Sequence, residues 1–200
     1  MTSNFDRYIG RGGYGPVYVG LLQSKEIIVE VLFDKSHQGP TEFSVEVDML
    51  SRLHHKNSVK FIGYYHEENM IYIYEIMSNG DLRQCLDSQN SFGKCLYWET
   101  GVNITLDAGQ DLVYLYAGCN PGIIHIDVKS SNILLDGCIE AKVSDFGLSI
   151  IGPLDGATRI TMLAKGVIGY IDPQYYIHHG LIEKIDIYNF VVVLLEIISG

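Results

Sequence analysis

The chain has 200 residues, with 14 Lys plus Arg against 24 Asp plus Glu, a formal net charge of −10. That balance excludes the basic surface needed to hold a phosphate backbone, so nucleic acid is not an expected partner. Hydrophobic residues at 47% and charged residues at 19% exclude disorder and supply apolar surface for one large domain or two small lobes.

Period-2 alternation predicts strands at Tyr8-Ile9, Pro16 to Leu22, Ile27 to Phe33, Val59 to Tyr65 and Met70 to Ile76, a small antiparallel sheet. After Pro40, the spacing of Phe43, Val47, Leu50 and Leu53 predicts one helix over Thr41 to Leu53. Beyond Ser78-Asn79-Gly80-Asp81 the pattern turns helical. A short helix is expected at Asp81 to Leu86, and a long one from Tyr97 to Ala117 with Val102, Leu106, Leu112, Leu115 and Tyr116 along its inner side. Strand-like pieces follow at Ile123 to Val128, Ile133 to Leu135 and Ala141 to Val143, and a helix closes the chain from Glu183 to Ser199. That helix is apolar on every face and is expected to be buried all round.

Cys85, Cys95, Cys119 and Cys138 form no C-x-x-C pair and read as free thiols of a reducing compartment, which places the chain in the cytosol. The amino-terminal MTSNFDRYIGRGGYG has no apolar signal core. The longest apolar run, Phe190 to Ile198 with Glu196 inside it, is about half of the ~20 residues that a membrane span needs. His54-His55 and His178-His179 are adjacent pairs that point to different faces, so no histidine metal site is expected.

Two motifs carry chemistry. Gly10-Arg11-Gly12-Gly13-Tyr14-Gly15-Pro16-Val17 fits G-x-G-x-x-G-x-V, in which glycines let backbone amides approach phosphates; a Gly-rich hairpin turn fits the same spacing. A strand rather than a helix follows, which argues against a dinucleotide fold. His125-Ile126-Asp127-Val128-Lys129-Ser130-Ser131-Asn132, with Asp145-Phe146-Gly147 further on, is more specific. Asp127 is suited to orient an attacking hydroxyl, and Asn132 and Asp145 to hold Mg²⁺, the parts list of phosphoryl transfer.

On these residues the chain resembles a eukaryotic protein kinase, and within that family the cytoplasmic domain of plant receptor-like Ser/Thr kinases. The resemblance runs from about Tyr8 to the last residue and includes Ile9 to Val17, Ser51-Arg52-Leu53-His54-His55, Gly122 to Leu135 and Asp172-Pro173-Gln174-Tyr175-Tyr176. It implies an α+β, bilobal kinase-like fold: a small antiparallel β-lobe with one helix over residues 1–77, and a truncated, mainly helical lobe over 78–200. It also implies that ATP and Mg²⁺ are cofactors and that a protein is the substrate or the scaffold partner. Gly10, Gly12, Gly15 and Val17 would then cover the phosphates, and Tyr74 to Met77, with Glu75 and Met77, would form the adenine hinge. Leu134 joins the cofactor-binding set, and Glu46 is the helix glutamate that pairs with a strand lysine. Asp127, Lys129 and Asn132 would be catalytic, with Lys129 favouring Ser/Thr over Tyr. Asn132 and Asp145 would hold the metal. Leu50, Phe61, His125 and Phe146 would stack as a spine, and Asp186 would anchor the catalytic loop.

The departures are as informative. Ile27-Ile28-Val29-Glu30 stands where the family has Val-Ala-Ile-Lys, so Glu30 replaces the lysine of the cofactor site. A unit charge at ~4 Å is worth roughly 4 kcal/mol at an effective dielectric of 20, so reversing its sign opposes phosphate binding strongly. Glu30 is also expected to face Glu46 and to push the helix outward or raise one carboxyl's pKa. Ile28 crowds the adenine position, and Ile126 removes the arginine that reads an activation-loop phosphate on Thr158 or Thr161. Val167 replaces a substrate-holding hydroxyl, and Gln174 replaces the glutamate of Ala-Pro-Glu. Helices that would follow Gly200 are missing, so exposed apolar side chains are expected to drive association. Two functions follow: an impaired ATP/Mg²⁺-dependent Ser/Thr kinase, or a pseudokinase scaffold or non-functional fragment. Membership of a longer receptor would put the chain at the cytosolic face of the plasma membrane.

Overall fold

The structure is a computed structural model and describes residues 6–12, 15–32, 40–67, 69–87, 97–152 and 184–199. The chain divides into two compact units, Met1–His55 with Val59–Met77, and Lys56–Ser58 with Ser78–Gly200.

In the first unit, β1 (Tyr8–Arg11), β2 (Pro16–Leu22), β3 (Lys25–Val31), β4 (Phe61–His66) and β5 (Met70–Glu75) form one antiparallel sheet in the order β1-β2-β3-β5-β4. The β2–β3 register pairs Leu22 with Lys25, leaving a two-residue turn in which Gln23 and Ser24 both take positive φ, 50° and 66°. Alternation along β3 sorts its side chains between two faces. Ile27 and Val29 form a buried cluster with Ile73, joined by Leu22, Val31 and Ile71. Ile28 and Glu30 leave the other face, opposite Tyr74 and Tyr72 of β5.

Helix α1 (Pro40–Arg52) covers that second face. Phe43, Val47 and Leu50 are buried at the predicted helical spacing, and Glu46 is buried among them. The Phe43 ring stacks on Tyr72 at 4.9 Å with 12° between planes. The helix therefore lies against the sheet, and the outward push expected from Glu30 is not observed.

The second unit begins with α2 (Leu82–Leu86), capped by Asp81, whose Oδ1 accepts from Gln84 N at 2.8 Å. Helix α3 (Trp98–Val113) runs on into a wider π turn, Tyr114–Gly118. Its inner face differs from the sequence expectation. Gly101, Ile104, Ala108, Asp111 and Leu115 are buried, whereas Val102, Leu106 and Tyr116 are exposed. Small residues and two carboxylates join the contact because Asp111 Oδ1 accepts from the buried Ser58 hydroxyl, and Asp107 Oδ2 accepts from Ala141 N at 3.2 Å. Asn57 adds Nδ2 to Ala141 O at 3.0 Å and its carbonyl to Val143 N at 2.7 Å. These bonds attach residues 56–58 to the second unit.

Two short antiparallel pairs follow: β6 (Ile123–Ile124) with β9 (Ile150–Ile151), and, between them in the chain, β7 (Ile133–Leu135) with β8 (Ala141–Val143). Helix α4 (Ile185–Ser199) closes the unit, with Ile185, Asn189 and Val193 buried. It is not buried all round. Ile187, Val191, Leu195 and Ile198 are 63%, 46%, 60% and 65% exposed, one stripe along the helix. No described helix is long and apolar enough to cross a membrane.

Candidate functional site

In the first unit, the Gly-rich segment links β1 to β2. Gly10 pairs with Val17, and Gly12 N donates to Gly15 O at 2.8 Å. A β-carbon on Gly15 would run into the Val31 carbonyl oxygen, so only glycine lets the segment lie on β3 there. Gly12 has a different neighbour. A β-carbon there would collide with Glu30 Oε1, and would come within 3.2 Å of Glu30 Cδ and 3.3 Å of Val17 Cγ2.

Glu30 is in register, opposite Val17 on β2 and Tyr72 on β5. Its carboxylate thus lies beside Gly12, and the Glu46 carboxylate accepts from Tyr72: Oη donates to Oε2 at 2.7 Å. Tyr72 was not singled out by the sequence reading. The available signal was a phenol in an otherwise aliphatic Ile71-Tyr72-Ile73 stretch. At the end of β5, Glu75 accepts from Lys60 N at 2.8 Å through Oε1, and Met77 follows half-buried. Ile28 lies opposite Tyr74.

In the second unit, the strand expected over Ile123 to Val128 stops at Ile124. Two α4 residues take the next backbone groups. Asp186 accepts from His125 N through Oδ2 and from Ile126 N through Oδ1, both at 2.7 Å, and Asn189 Nδ2 donates to Ile126 O at 2.9 Å. Ile126 is thereby held at φ 71°, a region β-branched residues avoid. Burial pushes the Asp186 carboxyl above the usual aspartate range, against the opposing pull of His125 and the two amides.

This clamp presents the polar loop. Asp127 is buried, and its Oδ2 accepts from Lys129 Nζ at 2.5 Å and from Asn132 Nδ2 at 3.0 Å. Asn132 Nδ2 also reaches the Asp127 carbonyl at 2.9 Å from the 3₁₀ turn Ser130–Asn132. His125 accepts from Asp127 N at Nδ1 (3.3 Å), which leaves Nε2 to donate to Ser144 O at 3.0 Å. Its ring lies 4.9 Å from Phe146. Asp145 takes φ 64°, and burial pushes its carboxyl upward; His125 and Lys129 oppose that rise, and Asp127 adds to it. Leu134 is half-buried in β7 opposite Lys142. Asp127, Lys129, Asn132 and Asp145 are therefore gathered around one loop.

A family model described as protein tyrosine and serine/threonine kinase matches residues 3–200. The chain belongs to the protein kinase family. A receptor-like protein kinase of Arabidopsis thaliana is 46% identical over 202 residues, covering 100% of this chain and 22% of that protein. Two probable LRR receptor-like serine/threonine-protein kinases of the same plant are 44% and 45% identical over 201 residues, again over 100% of this chain and 23% and 22% of theirs. This kinase domain spans under a quarter of the length of those relatives. It is a protein kinase domain with an α+β kinase fold.

Several features of this kinase domain named in the sequence lie outside the described residues: Gly13-Tyr14, Cys95, Thr158 and Thr161, Val167, Asp172 to Tyr176 with Gln174, and His178-His179. Leu50 and Phe61 belong to the first unit, the former buried and the latter half-buried; His125 and Phe146, both buried, belong to the second.

Proposed function

We propose that the chain is the phosphoryl-transfer domain of a receptor-like kinase, acting on protein Ser/Thr with ATP and Mg²⁺, and that Glu30 weakens its nucleotide binding. The observation that carries the first part is the Asp127 carboxylate held by Lys129 and Asn132 in one buried loop. Two donors on Oδ2 fix that carboxylate's orientation, as an acceptor for a substrate hydroxyl proton requires. Lys129 supplies a positive charge beside it.

The residues fit Mg²⁺ but not the phosphates. Asn132 turns Nδ2 to Asp127, which leaves its amide oxygen for the metal, and Asp145 supplies a half-buried carboxylate whose raised pKa a divalent cation would reverse. When bound, ATP supplies the transferred group and Mg²⁺ neutralises its oxygens. On the phosphate side, Glu30 places an acceptor-only carboxylate against Gly12, where the family places a cation. Ile126 leaves no arginine to meet an activation-loop phosphate, and Ile28 adds bulk opposite Tyr74.

The test is transfer of labelled γ-phosphate to a Ser/Thr peptide by the chain and by Asp127→Asn and Asp145→Asn. Weak transfer abolished by either substitution is expected. Transfer that survives both would place the chemistry elsewhere.

The Glu30 contact with Gly12 also favours a second reading, a pseudokinase that signals through a protein partner without transferring phosphate. The names of the relatives support a tether at the cytosolic face of the plasma membrane within a longer receptor. Retained Mg²⁺ binding without any ATP-dependent shift in melting would select the scaffold.

A further inference from the structure

We propose that Tyr72 is a positioning residue that holds Glu46, and through it helix α1, on the sheet of the first unit without a cation from β3. Tyr72 is fully buried and Glu46 only 7% exposed, and they share a hydrogen bond of 2.7 Å. Phe43 precedes Glu46 by three residues, so both project from one face of α1. Phe43 stacks on the Tyr72 ring while Phe61 meets that ring edge-on at 6.2 Å. Ring and hydroxyl therefore grip the helix at two successive points.

A buried carboxylate is costly unless hydrogen-bonded, and a donor to a charged acceptor makes a strong bond. By the family pattern that donor is the lysine whose position Glu30 holds. Tyr72 is the cross-strand partner of that position and leaves the same face. A β3 lysine divides its charge between the helix glutamate and nucleotide phosphates; a neutral phenol brings no cation to a phosphate. The position of α1 thereby becomes independent of nucleotide. This goes beyond the proposed function, because it describes the chain with nothing bound.

Hydrogen exchange on the whole chain without nucleotide tests it, and the result does not depend on phosphoryl transfer. Tyr72→Phe keeps the ring and removes only the hydroxyl. Exchange at the α1 amides of residues 44–52 should rise about tenfold or more, with β2 and β3 amides changing less than about threefold. Adding Glu46→Ala to Tyr72→Phe should raise it little further, and Glu46→Gln, which keeps an acceptor, should stay near the unmodified chain. Unchanged α1 exchange, a uniform rise across α1, β2 and β3, or additive effects of Tyr72→Phe and Glu46→Ala would each overturn the proposal.

Discussion

The Glu30 carboxylate rests against Gly12 so closely that a β-carbon at Gly12 would collide with Oε1. The obstacle is the far end of a flexible side chain, which can swing aside. At Gly15 the obstacle is the Val31 carbonyl, part of the sheet itself. The two glycines of one motif should therefore differ in cost. Gly12→Ala should lower unfolding free energy by less than about 1 kcal/mol and Gly15→Ala by about 2 kcal/mol or more, measured by urea denaturation. Equal losses would show that Glu30 is pinned where it lies.

The β2–β3 turn offers an independent check on the sheet register. Gln23 and Ser24 both hold positive φ in an exposed two-residue hairpin, a conformation better suited to an Asn-Gly pair. The double substitution Gln23→Asn with Ser24→Gly should raise stability by about 1 kcal/mol. A fall in the thermal midpoint would contradict the Leu22–Lys25 pairing.

Asp186 gives a pH signature for the loop clamp. Its folded pKa lies above the unfolded value of about 3.9, because burial disfavours the charged form. A raised acid pKa contributes stability that is full below the unfolded pKa and is lost as pH rises through the folded pKa. Asp186→Asn has no such titration. The stability gap between the unmodified chain and Asp186→Asn should thus widen as pH falls from 7 toward 4, in denaturant titrations at matched ionic strength. A gap that narrows over that range would mean that the amides of His125 and Ile126 outweigh burial.

Much of the architecture was legible in the chain. Alternation in Pro16 to Leu22 and Met70 to Ile76 marked strands because successive side chains go to opposite faces, as Tyr72 goes to α1 and Ile73 to the cluster with Ile27 and Val29. The stripe Phe43, Val47, Leu50 marked α1 for the same reason. The loop residues Asp127, Lys129, Asn132 and Asp145 were identifiable because their spacing is local to one loop and the turn after it. What was not legible depends on partners distant in sequence. The inner face of α3 is set by Ser58 and Ala141 reaching Asp111 and Asp107, so polar and small residues face inward and Leu106 faces out. The strand at Ile123 ends early because Asp186 and Asn189 claim the backbone of residues 125 and 126. Tyr72 meets Glu46 only through the β3–β5 register and the seating of α1, and neither is written in β5 alone. The apolar residues of α4 predicted burial on every face, whereas the fold buries only the side that carries Ile185, Asn189 and Val193.

Calorimetric titration of MgATP into the chain, beside Glu30→Lys, measures the effect of the carboxylate at Gly12 most directly. At an effective dielectric near 20, reversing one charge at ~4 Å is worth several kcal/mol before Mg²⁺ and relaxation reduce it. The unmodified chain should give no saturable heat up to about 1 mM nucleotide, and Glu30→Lys should bind at least about tenfold more tightly. Micromolar binding by the unmodified chain, unchanged in Glu30→Lys, would contradict a nucleotide site weakened by Glu30.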